Sequence, residues 1–343
     1  MSAPHLVVRA PNWVGDLVMA TPVLEAAHRA HAAGALSGLV VLVRKPLAAV
    51  LDGAPYQEAL VRLEGSEDEG WRAAREAGGD MALLLSSSFG AALRARRAGI
   101  GRRIGLSLHR RGGLLTDRLV PATREGRRAP TPTATTLRDL GHLAGLEIPS
   151  LRPTLHITAD ERARAVAWRA AVGLDVEEPF IVCSPGAAFG AAKLWPPPRF
   201  AEALEALHAE HGWRAVISGG PSEDALMDAV AAAAPSARSL SGVTRDLGGL
   251  KALVADSELL VVGDSGPRWY AAALDTPCVS VMGPNFPELT ATSLERCEIV
   301  RAPALPCAPC LERVCPLEHH ACMVDIASAD VVAAAGRVLA ASG

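Results

Sequence analysis

Three stretches of the chain hold residue types that can do chemistry, and each follows a short apolar run. The first is Asn12-Trp13-Val14-Gly15-Asp16. Gly15 lets another backbone or a ligand come close, and Asp16 offers a carboxylate that can take a proton from a hydroxyl group. A helix cap at that position accounts for an aspartate equally well. The second is Cys183–Pro196, CSPGAAFGAAKLWP. Gly186 and Gly190 bare backbone N–H groups after a strand and Lys193 follows, a combination suited to a diphosphate, although the G-x-x-x-x-G-K-[ST] spacing of a P-loop is absent. An ordinary loop with a surface lysine is the competing reading. The third is Gly263–Ala273, GDSGPRWYAAA. Asp264 and Ser265 end an apolar run, and Gly266-Pro267 opens a helix whose amino end favours an anion. Arg268 puts a cation in the first turn, against the helix dipole, which points to work outside the helix. A plain strand-to-helix turn is the alternative.

Seven cysteines add a fourth feature. Cys183, Cys278 and Cys297 sit in or near apolar runs and read as buried thiols. Cys307, Cys310, Cys315 and Cys322 follow one another at C-x2-C-x4-C-x6-C spacing in a Pro-rich stretch that also holds His319 and His320. Four thiols suffice for zinc, but the second pair is spread wider than in common zinc ribbons. Free thiols or a redox-dependent bridge fit as well, and spacing alone assigns no metal.

The elements that must position these residues alternate. Strands are expected at His5–Arg9, Gly38–Val43, Met81–Leu85, Arg103–Leu106 and Leu119–Val120, with helices at Asp16–Ala32 and from Phe89. Prolines and glycines punctuate residues 120–153, with a polar loop at Arg124–Pro132 and a helix near Thr135–Leu146. A helix at Ala159–Val172, capped by Thr158 or Asp160, opens the second half. Strands Phe180–Cys183, Trp213–Ser218, Leu259–Val262 and Cys278–Met282 follow, with a helix at Ser222–Ala233. This β-α-β texture predicts an α/β protein of two doubly wound parallel sheets, whose ligands gather outside the carboxyl ends of the strands.

Composition bounds the function. The 343 residues are half hydrophobic, and the formal net charge is −3. That balance gives no general pull toward nucleic acid or an anionic membrane, and a nucleic-acid partner is not expected. The basic run from Arg94 to Arg111 is either a solvated surface or a face for an anionic acceptor such as a phosphorylated glycolipid. No apolar run reaches membrane-spanning length, and the first residues lack the marks of a signal peptide, so a cytoplasmic location with peripheral membrane contact is expected.

The order and wording of PNWVGDLVMATPVL, SPGAAFGAAKLWPPPRFAEAL, GGPSED, GDSGPRWYAAAL and VSVMGPNFPE resemble the ADP-heptose:lipopolysaccharide heptosyltransferases. These are inverting enzymes of the GT-B fold, two doubly wound Rossmann-like domains facing a central cleft. The resemblance implies an acceptor-binding domain at 1–155 and a nucleotide-sugar domain at 156–343, whose last helix could pack back on the first. It implies an ADP-heptose donor, a lipopolysaccharide core acceptor, no cofactor and no catalytic metal. Asp16 would be the general base, and Asn12, Trp13 and Gly15 would face the acceptor. Lys193 would bind the diphosphate beside Ser184, Gly186 and Ala187. Glu223 would reach the ribose, and Asp264, Ser265, Gly266 and Arg268 would hold the sugar and diphosphate. Many members have a histidine where this chain has Trp269, a departure that leaves room for a glycosyltransferase of the same fold with another sugar nucleotide or glycan acceptor. A silent nucleotide-binding scaffold is the rival of a different class, and retention of Asp16 and Lys193 speaks against it.

Overall fold

Apolar runs such as Leu6–Val8, Leu83–Leu84, Ile181–Val182 and Leu259–Val262 have no solvent exposure, as expected of parallel strands covered on both faces. The computed structural model describes residues 3–124 and 126–341. It divides into one unit of Met1–His156 with Glu288–Thr292, and a second of Ile157–Pro287 with Ser293–Gly343.

The first unit holds strands β1 (His5–Arg9), β2 (Gly38–Arg44), β3 (Leu60–Leu63), β4 (Met81–Leu84), β5 (Arg102–Leu106) and β6 (Asp117–Leu119). They form one parallel sheet in the order β3-β2-β1-β4-β5-β6. Its helices are α1 (Val14–Met19), α2 (Thr21–Ala32), α3 (Lys45–Ala48), α4 (Glu67–Glu76), α5 (Phe89–Arg97) and α6 (Thr133–Leu143). A two-residue ribbon pairs β7 (Thr123–Arg124) with β8 (Arg127–Arg128) where a loop was expected, and Glu125 lies outside the described residues.

The second unit repeats the plan. Strands β9 (Phe180–Ser184), β10 (Arg214–Ile217), β11 (Arg238–Ser239), β12 (Leu259–Gly263), β13 (Cys278–Val281) and β14 (Cys297–Val300) form a parallel sheet in the order β11-β10-β9-β12-β13-β14. The helices are α7 (Ala159–Ala171), α8 (Pro197–His211), α9 (Asp224–Ala233), α10 (Leu247–Ala255), α11 (Pro267–Leu274), α12 (Ala321–Val324) and α13 (Ser328–Ala340). The last of these packs against α8, β13 and β14. Among the described residues no helix is long and apolar enough to cross a membrane.

Several local choices follow from single residues. The helix expected over Asp16–Ala32 is two helices, because Pro22 has no N–H to continue the first and instead sits in the opening turn of the second. A capping box of Thr158 and Glu161 starts α7. The sequence reading passed over β3, α4, β11, α10 and β14. In α4 the polar run EDEGWRAARE buries only Gly70, Trp71 and Ala74, yet Trp71 fills the core beside Val7, Leu42 and Leu84. In α10 the pair Gly248-Gly249 mimics a loop, but a Cβ on Gly249 would stand 2.3 Å from the Trp168 ring, so glycine is what lets α7 approach.

Candidate functional site

Each sheet has one place where strand order reverses, between β1 and β4 and between β9 and β12. Crevices outside the carboxyl ends of such strands are where open α/β sheets bind ligands. The loops singled out from sequence leave from three of these four strands, and Phe89 follows the fourth.

In the second unit, Ser184 ends β9 opposite Val262 of β12. Its hydroxyl is buried and has no hydrogen-bond partner. Gly186 follows, and a Cβ there would stand 2.1 Å from Glu223 Oε1, so any side chain would have to push that carboxylate aside. Glu223 is held in place by the Gly220 N–H, which donates to its Oε2 at 2.6 Å. Ala187 accepts from the Gly190 N–H and closes the turn. Lys193 then folds back: its Nζ lies 2.5 Å from Asp264 Oδ2 and 4.8 Å from the centre of the Phe189 ring. The two side chains of this ion pair are only 11% and 8% exposed. Trp195 anchors the far end of the loop, fully buried, its indole N–H donating to the Ile326 carbonyl at 3.2 Å.

Asp264 follows β12 and also accepts from Asn285 Nδ2 at 2.8 Å. Ser265 has a hydroxyl without a partner, and Gly266 caps α11. The structure thus brings Ser184, Gly186, Lys193, Asp264, Ser265 and Gly266 to adjoining strand ends, with Glu223 against Gly186. A cation paired with Asp264, a helix start and two hydroxyls able to donate have the chemistry to hold an anionic group such as a phosphate.

Arg268, in the first turn of α11, packs inward. The residue is 1% exposed, its Nε donates to Cys297 Sγ at 3.4 Å, and its guanidinium stacks on Trp269 at 4.5 Å. The opposition to the helix dipole is met inside the fold, by sulfur and an indole ring. Cys297 is for the same reason not a bland thiol. The Cys278 hydrogen bond, with help from Arg268, pulls its thiol below the ordinary value, while burial pushes Cys278 up. Cys183 fits the inert reading, since complete burial raises it.

In the first unit, β1 ends in Arg9, whose carbonyl accepts from the Leu85 N–H after β4 at 3.1 Å, so the two loops leave side by side. Arg9 is 1% exposed and reaches Glu67 at 2.6 Å and Asn12 Oδ1 at 2.7 Å. Burial alone would raise Glu67, but the hydrogen bonds and charge of Arg9, with Arg94 and Arg44, hold it below the ordinary glutamate value. Asn12 is therefore a brace for the loop. Trp13 is the N-cap of α1 and stands 49% exposed, while Phe89 opens α5 at 47% exposed. Gly15 and Asp16 lie half-buried in the first turn of α1. Asp16 is not the cap, because Trp13 holds that position without a side-chain bond.

The basic run does not make one face. Arg94 pairs with Asp68, Arg102 with Asp117, and Arg103 serves the Leu114, Ile100 and Gly101 carbonyls. Arg111 is fully buried on the Leu106, Ser86 and Ser88 carbonyls, and burial brings it down to about 10. Arg96, Arg97 and Arg110 remain exposed. Sequence reasoning missed Arg9, Glu67 and Asn285. A charge ending the apolar strand HLVVR was the available signal for Arg9, whereas no spacing links it to Glu67.

The comparisons agree with this architecture. The chain is 28% identical over 309 residues to lipopolysaccharide heptosyltransferase 2 of Escherichia coli K12, spanning 86% of this chain and 87% of that one. The structure of the E. coli ADP-heptose lipopolysaccharide heptosyltransferase II aligns with 98% of the chain and 99% of its own at a TM-score of 0.77 and 25% identity. A family 9 glycosyltransferase from Veillonella parvula has the same fold, with a TM-score of 0.78, 19% identity and 99% coverage of both chains. The two parallel sheets are those of a GT-B glycosyltransferase. The profile of glycosyltransferase family 9 (heptosyltransferase) matches residues 70–321, and the chain belongs to that family.

Proposed function

We propose that this enzyme transfers heptose from ADP-heptose to the inner core of lipopolysaccharide with inversion at the anomeric carbon. The observation that carries the donor half is the Lys193–Asp264 pair, at the strand ends that also carry the unpartnered hydroxyls of Ser184 and Ser265. Lys193, the Gly186–Ala187 backbone and the start of α11 at Gly266 take the diphosphate, and their charge stabilises the departing ADP. Asp264 fixes Lys193, and Asp264 and Ser265 hold the sugar. Glu223 meets the ribose from beside Gly186. In the first unit Asp16 takes the proton of the attacking hydroxyl, while Trp13 and Gly15 give the acceptor a face to lie on and Asn12 braces that loop. The similarity to heptosyltransferase II of E. coli supports the choice of sugar and acceptor. The reading puts the enzyme in the cytoplasm, in peripheral contact with the leaflet that carries its lipid-linked acceptor.

The test is release of the nucleoside diphosphate, ADP or UDP, with a heptose-truncated lipopolysaccharide acceptor across ADP-heptose, ADP-glucose and UDP-glucose. Acceptor-dependent release with ADP-heptose, at least about 100-fold above the others in kcat/KM, is expected. Equal or greater release from another sugar nucleotide overturns the donor. ADP binding without turnover of any donor favours a silent scaffold.

A further inference from the structure

Residues 301–320, between β14 and α12, form no strand or helix, and not one of them is buried. Leu311, Val314 and Leu317 face solvent at 41%, 68% and 56% exposure. A stretch of that length cannot order itself by apolar burial, and long structureless loops in a compact unit are usually held by something else. Yet it makes definite contacts. The Arg313 carbonyl accepts from the Ala192 N–H at 3.0 Å, and its guanidinium donates to the Phe189 carbonyl at 3.1 Å. His320 Nε2 meets the Ala192 carbonyl at 2.8 Å. The Cys310 and Leu311 N–H groups donate to the Pro284 carbonyl at 3.1 and 2.9 Å. The strap therefore touches the residue before Lys193 and the residue before Asn285.

Cys307, Cys310, Cys315 and Cys322 all line one pocket, with Ala192 and Pro284 in its wall. All four are free thiols and partly exposed. Cys307 Sγ lies 3.9 Å from His319 Nε2 in the same wall.

We propose that these four cysteines bind one thiophilic divalent metal ion, zinc or iron, as a structural tetrathiolate site that staples the strap onto the Lys193 loop. Among the described residues no three His, Cys, Asp or Glu side chains already stand at coordinating distance of a common point. The four thiols line one pocket, and binding would draw them together there. C-x2-C supplies the chelating first pair, four sulfurs complete a tetrahedron without water, and such closed sites are structural. Binding displaces the thiol protons to solvent and changes no oxidation state. Soft sulfur donors select zinc or iron over magnesium or calcium. His320 is spoken for by Ala192, whereas His319 stands beside Cys307, so the choice of four thiols over three thiols and His319 is one the experiment must decide.

The experiment is elemental analysis of the full chain purified anaerobically with a reductant, and it does not depend on which sugar the enzyme transfers. About one equivalent of zinc or iron per chain is expected, the element telling the two apart, and the Cys310→Ser/Cys322→Ser variant should hold under a tenth of that. The variant could lose metal by misfolding, so the wild-type chain is also stripped with a chelator and refilled with Co(II). A thiolate-to-cobalt charge-transfer band and intense tetrahedral d–d absorption are expected, unchanged in His319→Ala. Amide exchange at 187–193 should quicken at least tenfold on stripping and slow again on refilling. Wild-type protein that carries no transition metal and takes up neither Zn(II) nor Co(II) overturns the proposal. So does a double variant that keeps its metal.

Discussion

The strand ends of the second unit carry a locked charge pair, Lys193 with Asp264, shielded from solvent and steadied by Asn285 and the Phe189 ring. Those of the first carry a half-buried carboxylate, Asp16, in the same turn as an exposed indole, Trp13, with its charged groups spent on bracing the loops. Under the proposed function, the difference matches two kinds of work. A leaving diphosphate has fixed charge, and a cation set in advance stabilises it without reorganisation at the moment of reaction. A base that must receive a proton from a bulky acceptor needs access, and open aromatic surface gives a sugar or lipid core something to lie on.

The comparison can be broken or sharpened by substitution. The largest effect is expected where a buried brace is cut. Arg9→Ala strands Glu67 without its cation and should lower unfolding free energy by about 3–5 kcal/mol in urea titrations. ADP affinity, which belongs to the second unit, should stay unchanged wherever the variant is folded. Lys193→Ala should reverse that pattern, with kcat lowered about 10²–10³-fold and calorimetric ADP binding weakened. Loss of ADP affinity in Arg9→Ala would blur the division of labour. A smaller cost attends Gly186→Ala, whose new Cβ meets the Glu223 carboxylate. About 1–3 kcal/mol is expected in thermal or urea unfolding, and most of it should return in the Gly186→Ala/Glu223→Ala double variant, since the clash is with that one side chain. The smallest effect lies in pH dependence. Glu67 is held below its ordinary value, so its stabilisation is complete above that ordinary value, near pH 4.3, and is lost as pH falls through the lower folded one. Glu67→Gln should flatten the acid limb of the stability curve and leave the neutral plateau displaced downward by a constant amount.

The sequence made the fold legible where apolar runs were long and bounded by Gly or Pro, as at β1, β4, β9 and β12. It hid elements whose burial is narrow or whose residues mimic loops: α4 buries one face around Trp71, and α10 opens with two glycines that serve close packing. The donor-side residues could be named because glycine, lysine and Asp-Ser-Gly sit in order along short loops. Asn285 and Glu67 could not, since each meets its partner across 21 and 58 residues of chain. The burial of Arg268 was not legible, because a cation in a first helical turn looks exposed on a helical wheel. A thiol brought beside it by β14, a strand the sequence reading did not find, is what accepts its hydrogen bond.

The most direct measurement is single-turnover transfer from ADP-heptose to a heptose-truncated acceptor by wild type and Asp16→Asn, with donor affinity measured on the same samples. The account predicts a rate lowered about 10²–10⁴-fold with donor affinity unchanged, because the proton acceptor is removed and the diphosphate site is untouched. A variant that transfers within about threefold of wild type would contradict the placing of the base at Asp16.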